Sequence, residues 1–147
     1  MDGLENLVED EGRIAEIVRT ARTVAVLGIK TERQSGRPAF YVPAYLQQAG
    51  ARVIPVPVYY PDATHILGEP VYRKLADVPE AVDILDVFRR PQDIAPHVAD
   101  MKAMRPRAVW FQLGIRNDAA AAELAREGIL VVQDRCLMVD WRRFRRR

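Results

Sequence analysis

Hydrophobic residues along the chain alternate between helical spacing and short continuous runs. An interrupted helical stripe covers residues 4–22, and a short apolar run at residues 23–29 predicts the first strand. Apolar positions at residues 38–50 predict the next helix, which ends at a glycine. Because Pro43 is tolerated only within about the first turn of a helix, this helix should begin within residues 38–41.

The same alternation continues to the C-terminus. A segment rich in proline and glycine, residues 59–81, interrupts it and is predicted to be mostly irregular. The remaining predicted strands are residues 52–58, 83–88, 107–113 and 129–133, and the remaining predicted helices are residues 91–104, 117–127 and 137–145. Asn117 is expected to cap the second of these three helices.

This order of strands and helices predicts the fold class. Strand–helix–strand units build parallel sheets with helices on both faces. The expected fold is therefore α/β: a Rossmann-like, three-layer α/β/α arrangement with a mainly parallel sheet. The length of 147 residues fits a single domain, with its core at about residues 21–141 and a basic tail at residues 142–147.

Composition narrows the setting of this domain. A hydrophobic content of 49% and a charged content of 29% are typical of a soluble globular protein, and no stretch approaches the roughly 20 apolar residues of a membrane span. The acidic, polar segment at residues 1–6 lacks the pattern of a signal peptide. Cys136 is the single cysteine, which excludes an internal disulfide, so we expect a cytoplasmic protein that does not contact a membrane.

The charge of the chain argues against a nucleic-acid-binding protein, because the formal net charge is only +2. Positive charge is concentrated in the C-terminal arginines, which are Arg142, Arg143, Arg145, Arg146 and Arg147. We expect this tail to be solvated and frayed, as chain termini usually are. The alternative is that it contacts phosphates or an acidic surface.

The segment at residues 83–90 is the most informative feature of the chain. Its apolar residues predict a strand that is buried on both faces, and Phe88, Arg89 and Arg90 follow at the carboxyl end. Open α/β sheets bind ligands outside the carboxyl ends of their strands. An aromatic ring beside two guanidinium groups suits a ligand with a flat ring and phosphates. The alternative is that both arginines are solvated loop residues.

The loop after the first predicted strand is a second candidate site. Gly28 allows a close backbone approach to a ligand, and Lys30 and Arg37 bracket the loop and offer charge to phosphates. The dinucleotide fingerprint G-x-G-x-x-G is absent, however, and the second strand ends at residues 54–57 without the acidic residue that binds a ribose. The sequence therefore argues against the usual binding of a nicotinamide dinucleotide.

Two further strand ends should lie on the same edge of the sheet. Gly114 stands between a strand and a capped helix, where amide groups and a helix dipole are expected to face a ligand. The last predicted strand leads into residues 133–136. We therefore expect four strand ends to converge on one rim.

The chain offers little for catalysis. Cys136 can in principle pair with His65 or His97, but His65 lies in the irregular segment and His97 is expected on the surface of a helix. A free cysteine is more often an inert small residue. These dispersed residues also do not form a zinc site, so we predict no catalytic residue and no metal site.

Four segments together resemble a known family. They are Ile-Leu-Gly-Glu-Pro-Val-Tyr at 66–72, Asp-Ile-Leu-Asp-Val-Phe-Arg-Arg at 83–90, Val-Trp-Phe-Gln-Leu-Gly-Ile-Arg-Asn at 109–117 and Asp-Arg-Cys-Leu-Met at 134–138. They look like the small stand-alone CoA-binding proteins, whose domain is similar to the N-terminal CoA-binding domain of the succinyl-CoA synthetase alpha subunit. The resemblance covers about residues 21–141.

The resemblance implies coenzyme A as the ligand, bound at the carboxyl edge of the sheet. The first loop would supply Gly28, Ile29 and Lys30, and the helix after it would place Arg37 and Pro38 beside the pyrophosphate. The remaining implied contacts are Val56 and Pro57 near the adenosine, Phe88, Arg89 and Arg90 over the nucleotide or its 3′-phosphate, and Gln112, Leu113 and Gly114 toward the pantetheine arm.

The chain departs from the family pattern at three places. Lys30 stands where the family usually has a small hydroxyl residue, and the first loop at residues 30–36 is longer. The family's Val-Asn-Pro is replaced by Val-Pro-Val-Tyr-Tyr-Pro at residues 56–61, which changes the expected adenosine contacts. The segment that carries the phosphorylated histidine of the ligase is absent, so an autonomous acyl-CoA ligase is not expected.

Three hypotheses follow. The first is a non-catalytic module that binds CoA or an acyl-CoA as a monomer or homodimer. The second is an enzyme that uses a CoA thioester in the same cleft, and a related idea is a mixed disulfide between Cys136 and CoA. The third is a nucleotide-sensing or partner-docking protein that uses the arginine tail.

Overall fold

The computed structural model describes residues 2–145, and a five-stranded parallel sheet forms its centre. The strands are β1 (Thr23–Leu27), β2 (Arg52–Val56), β3 (His65–Ile66), β4 (Glu69–Pro70), β5 (Ile84–Val87), β6 (Ala108–Phe111) and β7 (Leu130–Val132), of which β3 and β4 form a separate antiparallel pair. The helices are α1 (Glu11–Thr20), α2 (Pro38–Gln48), α3 (Val98–Met104), α4 (Asp118–Arg126) and α5 (Leu137–Phe144). Within the described residues no helix has both the length and the apolar character needed to cross a bilayer.

The strand order of the main sheet is β2-β1-β5-β6-β7, with every neighbouring pair parallel. From β1 the chain adds β2 on one side, and all later strands add on the other side. The winding therefore reverses between β1 and β5, and this reversal is where doubly wound sheets form a crevice for ligands. The arrangement confirms the predicted Rossmann-like α/β/α fold.

Side chains of the strands alternate between two hydrophobic cores, one on each face of the sheet. In β1, Val24 and Val26 face the layer made by α1, α2 and α5, whereas Ala25 and Leu27 face the layer made by α3 and α4. This alternation is the pattern expected of strands that are covered on both faces. The carboxyl ends of the strands are left as the open edge of the three layers.

Two helices are shorter than the sequence pattern predicts. In place of one helix over residues 4–22, a 3-10 turn at Leu4–Asn6 leads into extended backbone, where Val8 donates to the carbonyl of Val131 at the edge of β7. Helix α1 then starts at Glu11, because Asp10 caps it by accepting from the amide of Arg13 at 3.0 Å. Pairing with the sheet edge competes with helix formation in this segment.

The predicted helix over residues 91–104 is also wrong in its first half. This part consists of 3-10 turns at Pro91–Asp93 and Ala95–His97, and the α-helix starts only at Val98. Pro91 and Pro96 lack the amide hydrogen that a longer helix would require. His97 consequently precedes the helix and does not lie in its middle.

The second strand ends at Val56, two residues earlier than predicted. Pro57 cannot donate to a ladder, so the chain leaves the sheet there. The following segment is mostly irregular, as predicted, but the guanidinium of Arg73 organises part of it by donating to the carbonyls of Tyr59, Tyr60, Pro61 and Ala63. These hydrogen bonds hold the loop at residues 59–63 in a defined conformation.

Two predicted helix starts are confirmed. Helix α2 begins at Pro38 with Arg37 as its N-cap residue. Pro43 is its sixth residue and lies beyond the first turn, where the carbonyl of Ala39 accepts from the amide of Lys30 at 3.1 Å instead. Asn117 caps α4, where its side chain accepts from the amide of Ala120 at 3.0 Å. Proline near a helix start and an asparagine cap are both strong local signals.

The tail was expected to be solvated and frayed: Arg142, Arg143 and Arg145 are exposed, as predicted, but within the described residues they make defined contacts and are not frayed. Arg145 donates to the carbonyls of Val18, Arg19 and Ala21 at the C-terminal end of α1. Arg143 pairs with Glu11, and Arg142 lies over the ring of Tyr45. Positive groups are favourable at a helix C-terminus, where carbonyls lack partners. Arg146 and Arg147 lie outside the described residues.

One buried carboxyl group stands out in the sheet. Asp86 is fully buried in β5, opposite Val26 and Trp110, and neither of its oxygens has a hydrogen-bond partner among the described residues. Burial raises the pKa of Asp86 well above its usual value. The neutral acid is therefore the favoured form in the folded protein.

We expect Arg145→Ala to lower the free energy of unfolding by about 1–2 kcal/mol, because it leaves several carbonyls at the end of α1 without their donor. Urea unfolding followed by circular dichroism measures this change. Arg142→Ala is the matched control, since Arg142 makes a single exposed cation–π contact worth about 0.5–1 kcal/mol. Equal effects of the two substitutions would show that the α1 contacts of Arg145 add nothing.

We expect the buried Asp86 to make stability fall with rising pH. The unfolded carboxyl ionises near its ordinary pKa, whereas the folded one retains its proton to higher pH. The stabilising contribution is thus complete at low pH and is lost as pH rises toward the folded pKa, at up to about 1.4 kcal/mol per pH unit.

Urea unfolding of wild type and Asp86→Asn between pH 4 and pH 7 tests this expectation. The asparagine variant cannot titrate at this position, so the difference between the two proteins should decline across that interval. Asp62→Asn, at an exposed loop position, serves as the control. Parallel pH profiles for wild type and Asp86→Asn would contradict the assignment.

Candidate ligand-binding cleft

A cleft of about 460 Å³ opens above the carboxyl ends of β1, β5 and β6. This is the position at which the winding of the sheet reverses. We call it the main cleft; it is lined by Lys30, Arg37, Pro38, Ala39, Tyr41, Val42, Phe88, Arg89, Arg90, Pro91, Gln112, Leu113, Gly114, Ile115 and Cys136. Most of the sequence-predicted site residues are therefore brought together in one place.

Close packing of two backbone segments shapes the floor of the main cleft. Gly28 has a φ of +85°, and a Cβ atom at this position would lie 2.2 Å from the carbonyl oxygen of Phe88. Only glycine fits such a contact, because it combines a left-handed conformation with a backbone atom where a side chain would begin. The sequence suggested that Gly28 makes room for a ligand, whereas in the structure it makes room for the end of β5.

The basic side chains of the cleft come from two neighbouring loops. Lys30 and Arg37 belong to the segment between β1 and α2, and Arg89 and Arg90 follow β5. Arg37 is exposed at the start of α2, where Pro38 has no amide hydrogen to offer. Side-chain charge, more than the helix amides, is therefore what this part of the cleft presents to an anion.

Arg89 is more enclosed than Arg37 and Arg90. Its side chain is 15% exposed, and its Nη2 lies 3.9 Å from an oxygen of Asp93. The guanidinium carbon lies 5.8 Å from the centre of the Tyr59 ring, and the Nε atom is buried without an acceptor among the described residues. Leaving a buried donor without an acceptor costs free energy. An anionic ligand that accepts a hydrogen bond from this nitrogen would remove that cost.

Arg90 differs from its neighbour although the two residues are adjacent in sequence. Its side chain is 72% exposed, and its Nε donates to Asp93 at 2.8 Å. Asp93 raises the pKa of Arg90 through this hydrogen bond. The sequence left open that both arginines are solvated loop residues. This is correct for Arg90 and wrong for Arg89.

The other side of the main cleft is mainly apolar. Tyr41 on α2, and Leu113 and Ile115 after β6, line this side, and Cys136 before α5 is half-buried against it. Leu113 is 67% exposed and Tyr41 is 41% exposed, which are high values for large apolar side chains. The cleft thus presents positive charge from the loops after β1 and β5 and from the start of α2, and apolar surface from Tyr41 on α2 and from the segment after β6.

Two predicted site residues hold the cleft wall by contacts within the protein. The side-chain oxygen of Gln112 is buried and accepts from the amide of Leu137 at 2.9 Å, which fixes the start of α5. The amide of Gly114 donates to the carboxylate of Asp134 at 2.6 Å. This amide is therefore already satisfied, whereas the sequence suggested that it is open to a ligand.

Besides Gly28, three predicted residues do not line the main cleft. Ile29 is buried in the hydrophobic core. Val56 and Pro57 line a second cleft of about 350 Å³ at the β2 edge, together with Leu27, Val58, Arg73, Lys74, Leu75, His97 and Asp100. Arg89 links the two clefts, because it lines the first and its charge acts on His97 in the second.

His97 is neutral near pH 7 in this environment. Partial burial lowers the pKa of His97, and the nearby positive charge of Arg89 lowers it further. The sequence pattern suggested a surface position on a helix for this residue. The structure instead places it in the wall of the second cleft.

Several side chains at the site were not identified from the sequence. Tyr59 and Tyr60 pack edge to face, with ring centres 6.4 Å apart, and they lie against Arg89 and Lys30 respectively. Tyr41 lines the cleft from α2. Two adjacent tyrosines in a proline-rich segment were the available signal, but their contacts depend on Arg73 fixing the loop.

The chemistry available in the main cleft favours binding of an anion. Within residues 2–145, no carboxylate or imidazole lines this cleft, and no cluster of three or more His, Cys, Asp or Glu could hold a metal. Cys136 lines the cleft, whereas His65 is exposed elsewhere. The idea that Cys136 acts on a bound ligand stays a prediction.

Known proteins are similar to this chain over nearly its whole length, in structure or in sequence. A Thermus thermophilus protein, cell-free ID.343, is 40% identical with a TM-score of 0.84, and the match covers 92% of this chain and 99% of that protein. A hypothetical protein from Pyrococcus horikoshii OT3 is 25% identical with a TM-score of 0.81, and the match covers 92% of both chains. The protein YneT of Bacillus subtilis is 27% identical over 129 residues, which are 88% of this chain and 92% of YneT.

A larger enzyme contains the same fold as one part. The dinucleotide-forming acetyl-coenzyme A synthetase 1 of Ca. Korarchaeum cryptofilum matches 79% of this chain with a TM-score of 0.64, but only 26% of the enzyme is covered. At 16% identity this likeness shows a shared fold alone. Residues 22–142 match the family model described as CoA binding domain, so the chain belongs to that family.

Proposed function

We propose that this protein binds coenzyme A or a CoA thioester, with the phosphates of the ligand in the charged half of the main cleft. The observation that carries the proposal is the convergence of Lys30, Arg37 and Arg89 at the point where the sheet winding reverses. Guanidinium and ammonium groups form strong, charge-assisted hydrogen bonds with phosphate oxygens. Membership of the CoA binding domain family supports the same ligand.

The two clefts suggest how such a ligand would lie. We propose that the adenosine occupies the second cleft beside Val56 and Pro57, that the phosphates lie near Arg89, and that the pantetheine arm crosses the main cleft toward Leu113. This orientation follows the order of the clefts along the carboxyl edge of the sheet. It also offers an acceptor to Arg89, whose Nε atom is buried without one among the described residues.

The role that fits this site is binding without chemistry, in the cytoplasm. The lining of the main cleft includes positive charge, apolar surface and amide groups, which recognise and hold a ligand. General acid–base catalysis would require a titratable group positioned at the reacting bond. We therefore propose a CoA carrier or sensor module in preference to an enzyme.

We expect Arg89→Ala to weaken CoA binding by about 1–3 kcal/mol, which corresponds to roughly 5- to 150-fold in Kd, because a charged hydrogen bond to phosphate is lost. Isothermal titration with CoA measures this change, and parallel titrations with NAD and ATP measure selectivity. We expect CoA to bind more tightly than NAD, since the fingerprint for dinucleotides is absent.

Arg126→Ala is the matched control, because Arg126 is an exposed cation at the opposite edge of the sheet. Its affinity for CoA should equal that of the wild type. Thermal unfolding of both variants checks that neither substitution changes the fold. An Arg89→Ala protein that is folded and binds CoA with unchanged affinity would remove Arg89 from the site.

A further inference from the structure

We propose that the preferred ligand is a CoA thioester with a short aliphatic acyl group, and that Tyr41 and Leu113 form the seat for that group. The inference rests on the proposed function and specifies the ligand at the far end of the same cleft. It concerns the part of the cleft that phosphate binding leaves unexplained. Leu113 and Tyr41 are exposed here, beside the half-buried Cys136 and Ile115.

The division of the cleft into a charged and an apolar half suits an amphiphilic ligand. Lys30 and Arg89 follow the ends of β1 and β5 and Arg37 is the N-cap residue of α2, whereas Leu113 and Ile115 follow β6. Exposed large apolar side chains beside a cleft often mark a binding surface. A ligand that spans both halves must therefore carry phosphates at one end and an apolar group at the other.

The length of the pantetheine arm brings the sulfur to this apolar half. Neighbouring strands lie about 4.8 Å apart, so the ends of β1 and β6, separated by two strand intervals, are roughly 10 Å apart. The arm has about thirteen bonds between phosphorus and sulfur, and an extended chain of that length spans roughly 15 Å. Phosphates held near β1 and β5 thus allow the sulfur to reach the rim formed by Tyr41 and Leu113.

The lining of the seat selects the chemical class of the acyl group. Arg37 lies one helical turn before Tyr41, but it is assigned to the phosphates of the ligand. Arg116, which follows Ile115 in sequence, pairs with Asp118 at 3.1 Å and lines a different cavity. A dicarboxylic acyl group would find no new charge partner at the seat. The seat is also shallow, as the exposure of Leu113 shows, so it covers a few carbon atoms only.

Isothermal titration of the full chain with CoA, acetyl-CoA, butyryl-CoA and succinyl-CoA tests the proposal. Partial burial of two added methylene groups should make butyryl-CoA bind about fivefold more tightly than acetyl-CoA. Succinyl-CoA should bind no more tightly than free CoA. Leu113→Ser should abolish the preference for butyryl-CoA over acetyl-CoA, a ratio that cancels any effect of the substitution on contacts with the pantetheine arm.

Val139→Ser is the matched control, because Val139 is another exposed apolar residue, 52% exposed, that does not line the main cleft. This variant should retain the preference for butyryl-CoA. Sedimentation measurements on the wild type and Leu113→Ser check whether Leu113 contacts a second copy instead. A change in mass on Leu113→Ser with no change in acyl preference would overturn the proposal.

The outcomes separate this inference from the function on which it depends. Equal affinity for CoA and butyryl-CoA in the wild type would reject the acyl seat and leave CoA binding intact. Absence of binding to all four compounds would reject the CoA site itself. A preference for succinyl-CoA would show that a cation outside the seat selects the acyl group, which also contradicts the proposal.

Discussion

The packing of Gly28 against the carbonyl of Phe88 is the constraint on which the ligand cleft depends. Since a Cβ at residue 28 would lie 2.2 Å from that oxygen, the ends of β1 and β5 can approach each other only with glycine there. This approach brings the loop that carries Lys30 and Arg37 beside Arg89. Gly28 therefore shapes the cleft by allowing two backbone segments to pack closely, and its effect on a ligand is indirect.

Arginine side chains in this protein differ in how far their hydrogen-bond donors are satisfied. Arg89 has a buried nitrogen without an acceptor, whereas Arg145 and Arg73 each donate to several backbone carbonyls. The many arginines of the chain are therefore not equivalent. Arg73 and Arg145 stabilise structure by completing backbone hydrogen bonds, whereas Arg89, with a buried nitrogen that lacks an acceptor among the described residues, lies where an anion would bind.

The sequence predicted the sheet, the start of α2, the cap of α4 and the strand end at Phe88 and Arg89, because each depends on local pattern or on a rule for parallel sheets. It did not predict contacts that depend on distant parts of the chain. Leu7 and Val8 fit a helical pattern but pair with Val131 at the edge of β7. The side chain of Arg145 donates to carbonyls at the C-terminal end of α1. Ile29 was predicted to line the first loop of the ligand site, but it is buried in the core. Val56 and Pro57 line a second cleft, because the chain leaves the sheet at Pro57.

Hydrogen–deuterium exchange of the full chain with and without CoA tests the central claim most directly, since it reports both binding and its place. The account predicts slower exchange in residues 28–42, 88–92 and 112–117, which border the main cleft, and no change in the segment at residues 4–9, which lies along β7. Unchanged exchange at saturating CoA, or protection confined to the β7 edge, would contradict a CoA site in this cleft.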